Sequence, residues 1–292
     1  MFDFMEQVIK NLKDLGKTRS TESYTATLNS FKRFRDQKDL LMNNLNAEII
    51  QSYEVFLKNN GLCPNTSSFY MRILRAVYNR AVEKGFVVQQ YPFKHVYTGI
   101  DKTIKRALPL QCIKNIKNMD LSGNPPLEFA RDMFLFSFYT RGMSFVDMAY
   151  LEKKHLKNGI LCYRRRKTGK MLMIKWEKCM QELVEKHCNP QSVYLLPIIS
   201  SPGIEGRKQY LNGIHNINHR LKTLGELLDL SIPLTLYVAR HSWASIARFQ
   251  KIPLSVISEG MGHESEKTTL IYLATLDTTA VDRANRAILK LL

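Results

Sequence analysis

Arg141 follows the apolar stretch FARDMFLFSFYT, and Arg240 lies inside LTLYVARHSWASIA, again among apolar neighbours. A half-buried guanidinium needs either an acidic partner within the fold or an anion brought from outside. Lys167 stands in RRRKTGK between two strand-like runs, and Gly262-His263 precedes a capped turn with Tyr272 nine residues after the histidine. Cleaving a phosphodiester without a metal requires a nucleophile, cations for the charge of the phosphorane, and an acid for the leaving oxygen. Tyr272, the two arginines and Lys167 are candidates for those three tasks. Singly, each has an ordinary reading: a core tyrosine, a structural arginine, a solvated turn lysine. The combination gives the chemical reading its weight.

Such a site needs a polyanionic partner, and the charge balance supplies a reason for one. The 292 residues hold 43 Lys plus Arg against 26 Asp plus Glu, a net charge of +17. Residues 1–106 carry 17 basic and 10 acidic side chains and the remainder 26 and 16, so the two parts stand at +7 and +10. Cations that neutralise phosphates release condensed counterions, which makes nucleic acid the expected partner, gripped by both parts. With 45% hydrophobic and 24% charged residues, the chain has apolar material for two cores. Five cysteines, an odd number without a C-x-x-C pair, argue against a disulfide framework or a zinc ribbon and for a cytoplasmic compartment. MFDFMEQVIKNLKDLG lacks the apolar core of a signal peptide, and no run of about 18 apolar residues suggests a membrane span.

The positioning elements are mostly helical. Residues 20–34, 47–59 and 65–84 place apolar side chains at helical spacing, which predicts a compact helical domain over 1–92. Lys32, Arg33, Arg72 and Arg75 lie on or beside these helices, either as a solvated face or as a phosphate-gripping one. Residues 93–108, with Lys102, Lys105 and Arg106, read as a basic linker that follows a phosphate backbone. Over 109–292 helices are expected at 110–118, 126–139, 144–152, 177–188, 213–228, 239–249, 254–260, 266–275 and 278–291. Between them, ILCYRR and KMLMIKW flank Lys167-Thr168-Gly169-Lys170 as a β-hairpin with a lysine at its tip. The fold class is therefore mainly α, with one small sheet. In the tail, Val281, Ala284, Ala287, Ile288 and Leu291 form an apolar stripe that packs either on its own chain or on a neighbour.

In this order and spacing, Arg141 in TRGMSFVDMAYL, Lys167 in RRRKTGK, Arg240 in YVARHSW, His263 in MGHESEKTT and Tyr272 in LIYL resemble the tyrosine recombinase (lambda integrase) family. The first domain is similar to that family's helical, SAM-like core-binding domain, and the resemblance is to the short two-domain form, for which no arm-binding domain is expected. The resemblance implies a site-specific recombinase of integrase or invertase type that works without metal or cofactor through a 3′-phosphotyrosyl intermediate. Tyr272 would attack, Arg141 and Arg240 would hold the non-bridging oxygens, His263 would bond to the same oxygens, and Lys167 would protonate the departing 5′-oxygen. Double-stranded DNA with paired inverted-repeat core sites and a tetramer assembled on DNA are the implied partners. Two departures stand out: the first position of H-x-x-R is Tyr237, and the acidic residue three after the first arginine is replaced by Ser144, with Asp147 further along. A phenol near pKa 10 is no base at neutral pH, so Tyr237 is expected to contribute hydrogen bonding, and the base for Tyr272 stays unassigned. His241, about 100° around the helix from Arg240, reads as structural. Type IB topoisomerase activity and a non-catalytic DNA-binding regulator are the competing functions.

Overall fold

The computed structural model describes residues 1–101, 106–200 and 204–273, together with Arg286, Ile288 and Leu289. The chain divides into two compact units, Met1–Thr103 and Ile104–Leu292. Most of the expected tail stripe, and Lys102 and Lys105, lie outside the described residues. No helix among the described residues is long and apolar enough to cross a membrane.

The first unit is a bundle of α1 (Phe2–Asp14), α2 (Thr18–Phe34), α3 (Ala47–Asn59) and α4 (Pro64–Glu83). Asn46 caps α3 by accepting from the Ile49 amide, and Pro64 opens α4 where a missing N–H costs nothing. The apolar stripes close on a core that includes Phe31, Tyr53, Leu74 and Val77. There Phe31 meets Tyr53 edge-on at 5.0 Å, and the Tyr53 hydroxyl donates to Ser30 Oγ at 2.9 Å. Phe93 and Val96, the first part of the expected linker, are buried in this same core, whereas Leu108 at its other end joins the core of the second unit.

The second unit contains α5 (Leu110–Asn118), α6 (Pro125–Tyr139), α7 (Phe145–Ala149), α8 (Lys178–His187), α9 (Ile204–Leu227), α10 (Leu236–Phe249), α11 (Leu254–Gly260) and α12 (Glu266–Leu273). The sheet has the order β1 (Leu156–Lys157), β2 (Ile160–Arg164), β3 (Met171–Lys175), all antiparallel, with Arg164 opposite Met171 closing the expected hairpin. Helix α6 is the axis of this unit. Met133, Phe134 and Phe136 are fully buried as it packs against α8, α9 and α10. Its one charged cluster is tightly matched: Asp132 accepts from Arg131 Nε at 2.8 Å, Lys186 Nζ at 2.9 Å and His187 Nε2 at 2.7 Å. Burial alone would raise the Asp132 pKa, but these bonds from His187, Lys186 and Arg131 outweigh it and hold the carboxyl at about 2.

Candidate active site

The C-terminal end of α6 turns at Arg141 and Gly142, both in the left-handed region at φ 61° and 76°. The Gly142 amide closes the turn on the Ser137 carbonyl at 2.7 Å, and Ser137 Oγ donates to the Met143 carbonyl at 2.8 Å. This turn directs the Arg141 side chain across Gly260, whose Cα hydrogen faces the Arg141 Cδ, and Arg141 Nη1 donates to the Met173 carbonyl at 3.3 Å. Gly142 is required for two reasons. A side chain there would be strained by its φ, and its Cβ would fall 2.7 Å from the Arg240 Cα.

Arg240, on α10, is buried against that turn. Its Nη1 donates to the Gly142 carbonyl at 2.7 Å and its Nη2 to the Met261 carbonyl at 2.8 Å. The same Nη2 lies 3.0 Å from His263 Nε2, while His263 Nδ1 is 2.7 Å from Thr269 Oγ1 on α12. A guanidinium only donates, so Nε2 accepts and the imidazole proton sits on Nδ1, donated to Thr269. Burial, then Arg240, Arg165, Lys167 and Lys170, lower the His263 pKa to about 4, so the ring is neutral at pH 7. In this state His263 offers Nε2 as an acceptor. Bonding a phosphate oxygen through that atom requires it to gain a proton, which an arriving anion favours.

The hairpin is fastened to this centre at three points. Arg165 Nη1 donates to the Gly262 carbonyl at 2.8 Å, Lys170 Nζ pairs with Glu259 Oε2 at 2.6 Å, and the Arg166 amide donates to Asp147 Oδ1 at 2.8 Å. The other Asp147 oxygen accepts from Ser144 Oγ at 2.6 Å, so Ser144 and Asp147 together seat the turn of the hairpin on α7. The Arg166 guanidinium lies 4.0 Å from the Tyr150 ring centroid. Lys167 is left exposed at the tip. Tyr272 falls in the second turn of α12, which begins at Glu266 directly after Ser265. The structure thus brings Arg141, Arg240 and His263 together around the Gly260–His263 turn, with the Lys167 hairpin fixed to that turn and Tyr272 on the helix that follows it.

Other expected residues lie elsewhere or in different roles. Tyr237 is 60% exposed and meets the buried His241 ring edge-on at 4.5 Å. In the first unit Lys32 pairs with Glu6 at 2.6 Å, Arg75 Nη1 donates to Thr98 Oγ1 at 3.1 Å and Arg72 Nε to the Ser68 carbonyl at 3.4 Å; Arg33 and, in the second unit, Arg106 are exposed. Arg165 was not among the expected site residues, although β2 alternates its burial. Leu161 and Tyr163 face inward, Arg165 just past the strand continues the same alternation, and that period of two was the signal available in the sequence.

Residues 1–96 match the phage integrase SAM-like domain family. Among solved structures, a lambda integrase fragment in a dimer bound to a core site aligns over 93% of this chain and 94% of its own, at a TM-score of 0.68 and 14% identity. The site-specific recombinase XerH, bound to a palindromic difH substrate, aligns over 98% and 84% at 0.68 and 15%, and the Tn1549 transposon integrase over 97% and 99% at 0.66 and 14%. The chain has the tyrosine recombinase fold. Curated protein sequences give no match. In a tyrosine recombinase fold so distant in sequence, the SAM-like helices and the mainly helical second unit with its small sheet are what is shared.

Proposed function

We propose that the protein is a site-specific DNA recombinase that cuts and rejoins strands through Tyr272. The observation that carries this reading is the gathering of Arg141, Arg240 and His263 around one turn, immediately before the helix that holds Tyr272. Matches to DNA-bound recombinases, among them a lambda integrase tetramer on a Holliday junction, support a DNA substrate and assembly on it. In the proposed step the Tyr272 hydroxyl gives up its proton to solvent as its oxygen forms a bond to the scissile phosphorus, the bond from phosphorus to the 5′-oxygen breaks, and the DNA keeps a 3′-phosphotyrosyl link. Arg141 and Arg240 carry the charge of the phosphorane, a task for planar guanidinium forks. Lys167 gives a proton to the departing 5′-oxygen, and the energy kept in the phosphotyrosyl bond lets a 5′-hydroxyl from another duplex reverse the step.

In this reading residues 1–92 form the core-site-binding domain, 93–108 the basic connection, with Lys102, Lys105 and Arg106 along the phosphates, and 109–292 the catalytic domain. Paired inverted-repeat sites and four protomers follow from two cuts at each of two sites. A DNA substrate and five free cysteines support a cytoplasmic setting.

The test is a nicked suicide duplex carrying a sequence that the protein selects from a random pool. Wild type is expected to form a denaturation-resistant adduct on it. Tyr272→Phe, which removes only the nucleophilic oxygen, is expected to form none while binding the duplex within about twofold of wild type. An adduct that survives Tyr272→Phe would remove Tyr272 from its role.

A further inference from the structure

Among the described residues, Arg165 carries a buried charge with no carboxylate partner. It is 6% exposed, directly after β2 and in line with that strand's inward face, and among the described residues its side-chain hydrogen bonding is limited to the one donated to the Gly262 carbonyl. A guanidinium has five N–H donors, and burying one without a carboxylate is costly unless an anion arrives to meet it. The acidic side chains nearby are engaged elsewhere: Asp147 with Ser144 and the Arg166 amide, Glu259 with Lys170. Contrast Arg131, equally buried in the same unit, which is bonded to Asp132 and Glu128. The position of Arg165 is also specific. Its Cδ would lie 3.3 Å from a Cβ at Gly262, one residue before His263, and Arg141, Arg165 and Arg240 all act on the buried Tyr163 phenol.

We propose that Arg165 is a third arginine of the reaction site, which holds the scissile phosphate with its remaining donors while its bond to Gly262 fixes the turn that carries His263. The assignment rests on the Tyr272 chemistry proposed above. It adds to the two arginines a cation supplied by the hairpin, so that the hairpin bearing Lys167 is drawn onto the substrate as the phosphate is bound. The phosphate is met from three places: the turn after α6, helix α10 and the end of β2 where the hairpin turn begins.

Charge on the substrate separates this role from a purely mechanical one. The comparison is the single-turnover rate of adduct formation on the selected nicked duplex, with either an ordinary scissile phosphate or a methylphosphonate at that position, which lacks the negative charge. On phosphate, Arg165→Ala is expected to be slower than wild type by about a hundredfold. On methylphosphonate the same pair is expected to differ by less than about fivefold, because a neutral centre no longer needs the cation. Arg165→Met keeps the buried stem without the charge and serves in the same comparison if the alanine variant is unfolded by circular dichroism. Equal defects on both substrates mean that Arg165 only pins the turn, and no defect on phosphate means that it has no part in the reaction; either result overturns the proposal. If wild type forms no adduct on phosphate, the Tyr272 reading fails first and takes this assignment with it.

Discussion

The two units bury different kinds of side chain. In the first, the buried polar residues are Thr27, Ser30, Ser67 and Ser68, all neutral, and the core is apolar and aromatic. In the second, Arg131, Asp132, Asp147, Arg165, Arg240, His241 and His263 are all buried. Burying charge seldom improves stability over an apolar core of the same shape. The first unit has the composition of a domain that must only fold and present a surface. In the second, one charged group is internally matched at Asp132, while the other surrounds the turn before Tyr272.

The sharpest way to probe this contrast is to unmatch the matched group. Asp132→Ala leaves Arg131, Lys186 and His187 facing each other around a 1% exposed position, and is expected to cost about 3–5 kcal/mol in denaturant unfolding. A loss below 1 kcal/mol would show that the cluster is solvated and that the two units differ less than they look.

His263 gives the next largest effect. Its folded pKa, about 4, is below the 6.5 expected when unfolded, so between these values the unfolded chain binds more protons and stability rises with pH. The stabilisation is complete above pH 6.5 and is lost as pH falls toward 4, up to roughly 3 kcal/mol. Comparing unfolding of wild type and His263→Asn at pH 7 and pH 4.5 isolates it; parallel curves would mean that the ring is not held neutral.

Lys167 tests the opposite case, an exposed residue whose loss harms chemistry alone. Lys167→Ala is expected to slow cleavage of ordinary DNA about a hundredfold, with an unchanged unfolding midpoint. The defect should shrink when sulfur replaces the leaving 5′-oxygen, since a thiolate departs without a proton. If sulfur brings no rescue, Lys167 is not the acid and Lys170, although paired with Glu259, becomes the candidate. Smallest is Tyr53→Phe in the first unit, which removes one buried bond to Ser30 and should cost about 1 kcal/mol with no effect on cleavage by DNA-bound protein.

Periodicity made the helices legible: α3, α5 and α11 fall at 47–59, 110–118 and 254–260 as expected. Helix α1 was read only for what it lacks as a signal segment, and α9 starts at Ile204 rather than 213 because its first turns are polar enough to pass for a loop. Strand β1 has two residues, too few for any pattern. Arg141, Arg240 and His263 were legible because each sits in a distinctive local motif. Arg165 was masked by its neighbours: in RRRKTGK every cation looks alike, and only the alternation set by Leu161 and Tyr163 separates the one that turns inward. The Asp147 link to the hairpin joins residues 19 apart through a backbone amide, which no side-chain pattern encodes.

Gly142 has a consequence for binding. Because the α6 turn and the α10 backbone touch there, and the Gly142 carbonyl holds Arg240, the spacing of the two backbones that carry the arginines and the direction of the Arg240 guanidinium are set by main-chain packing. Side-chain freedom that would otherwise be surrendered when a phosphate enters has already been surrendered during folding. The anion meets an Arg240 guanidinium that is already placed, and more of its interaction energy remains for the strained geometry of the transition state.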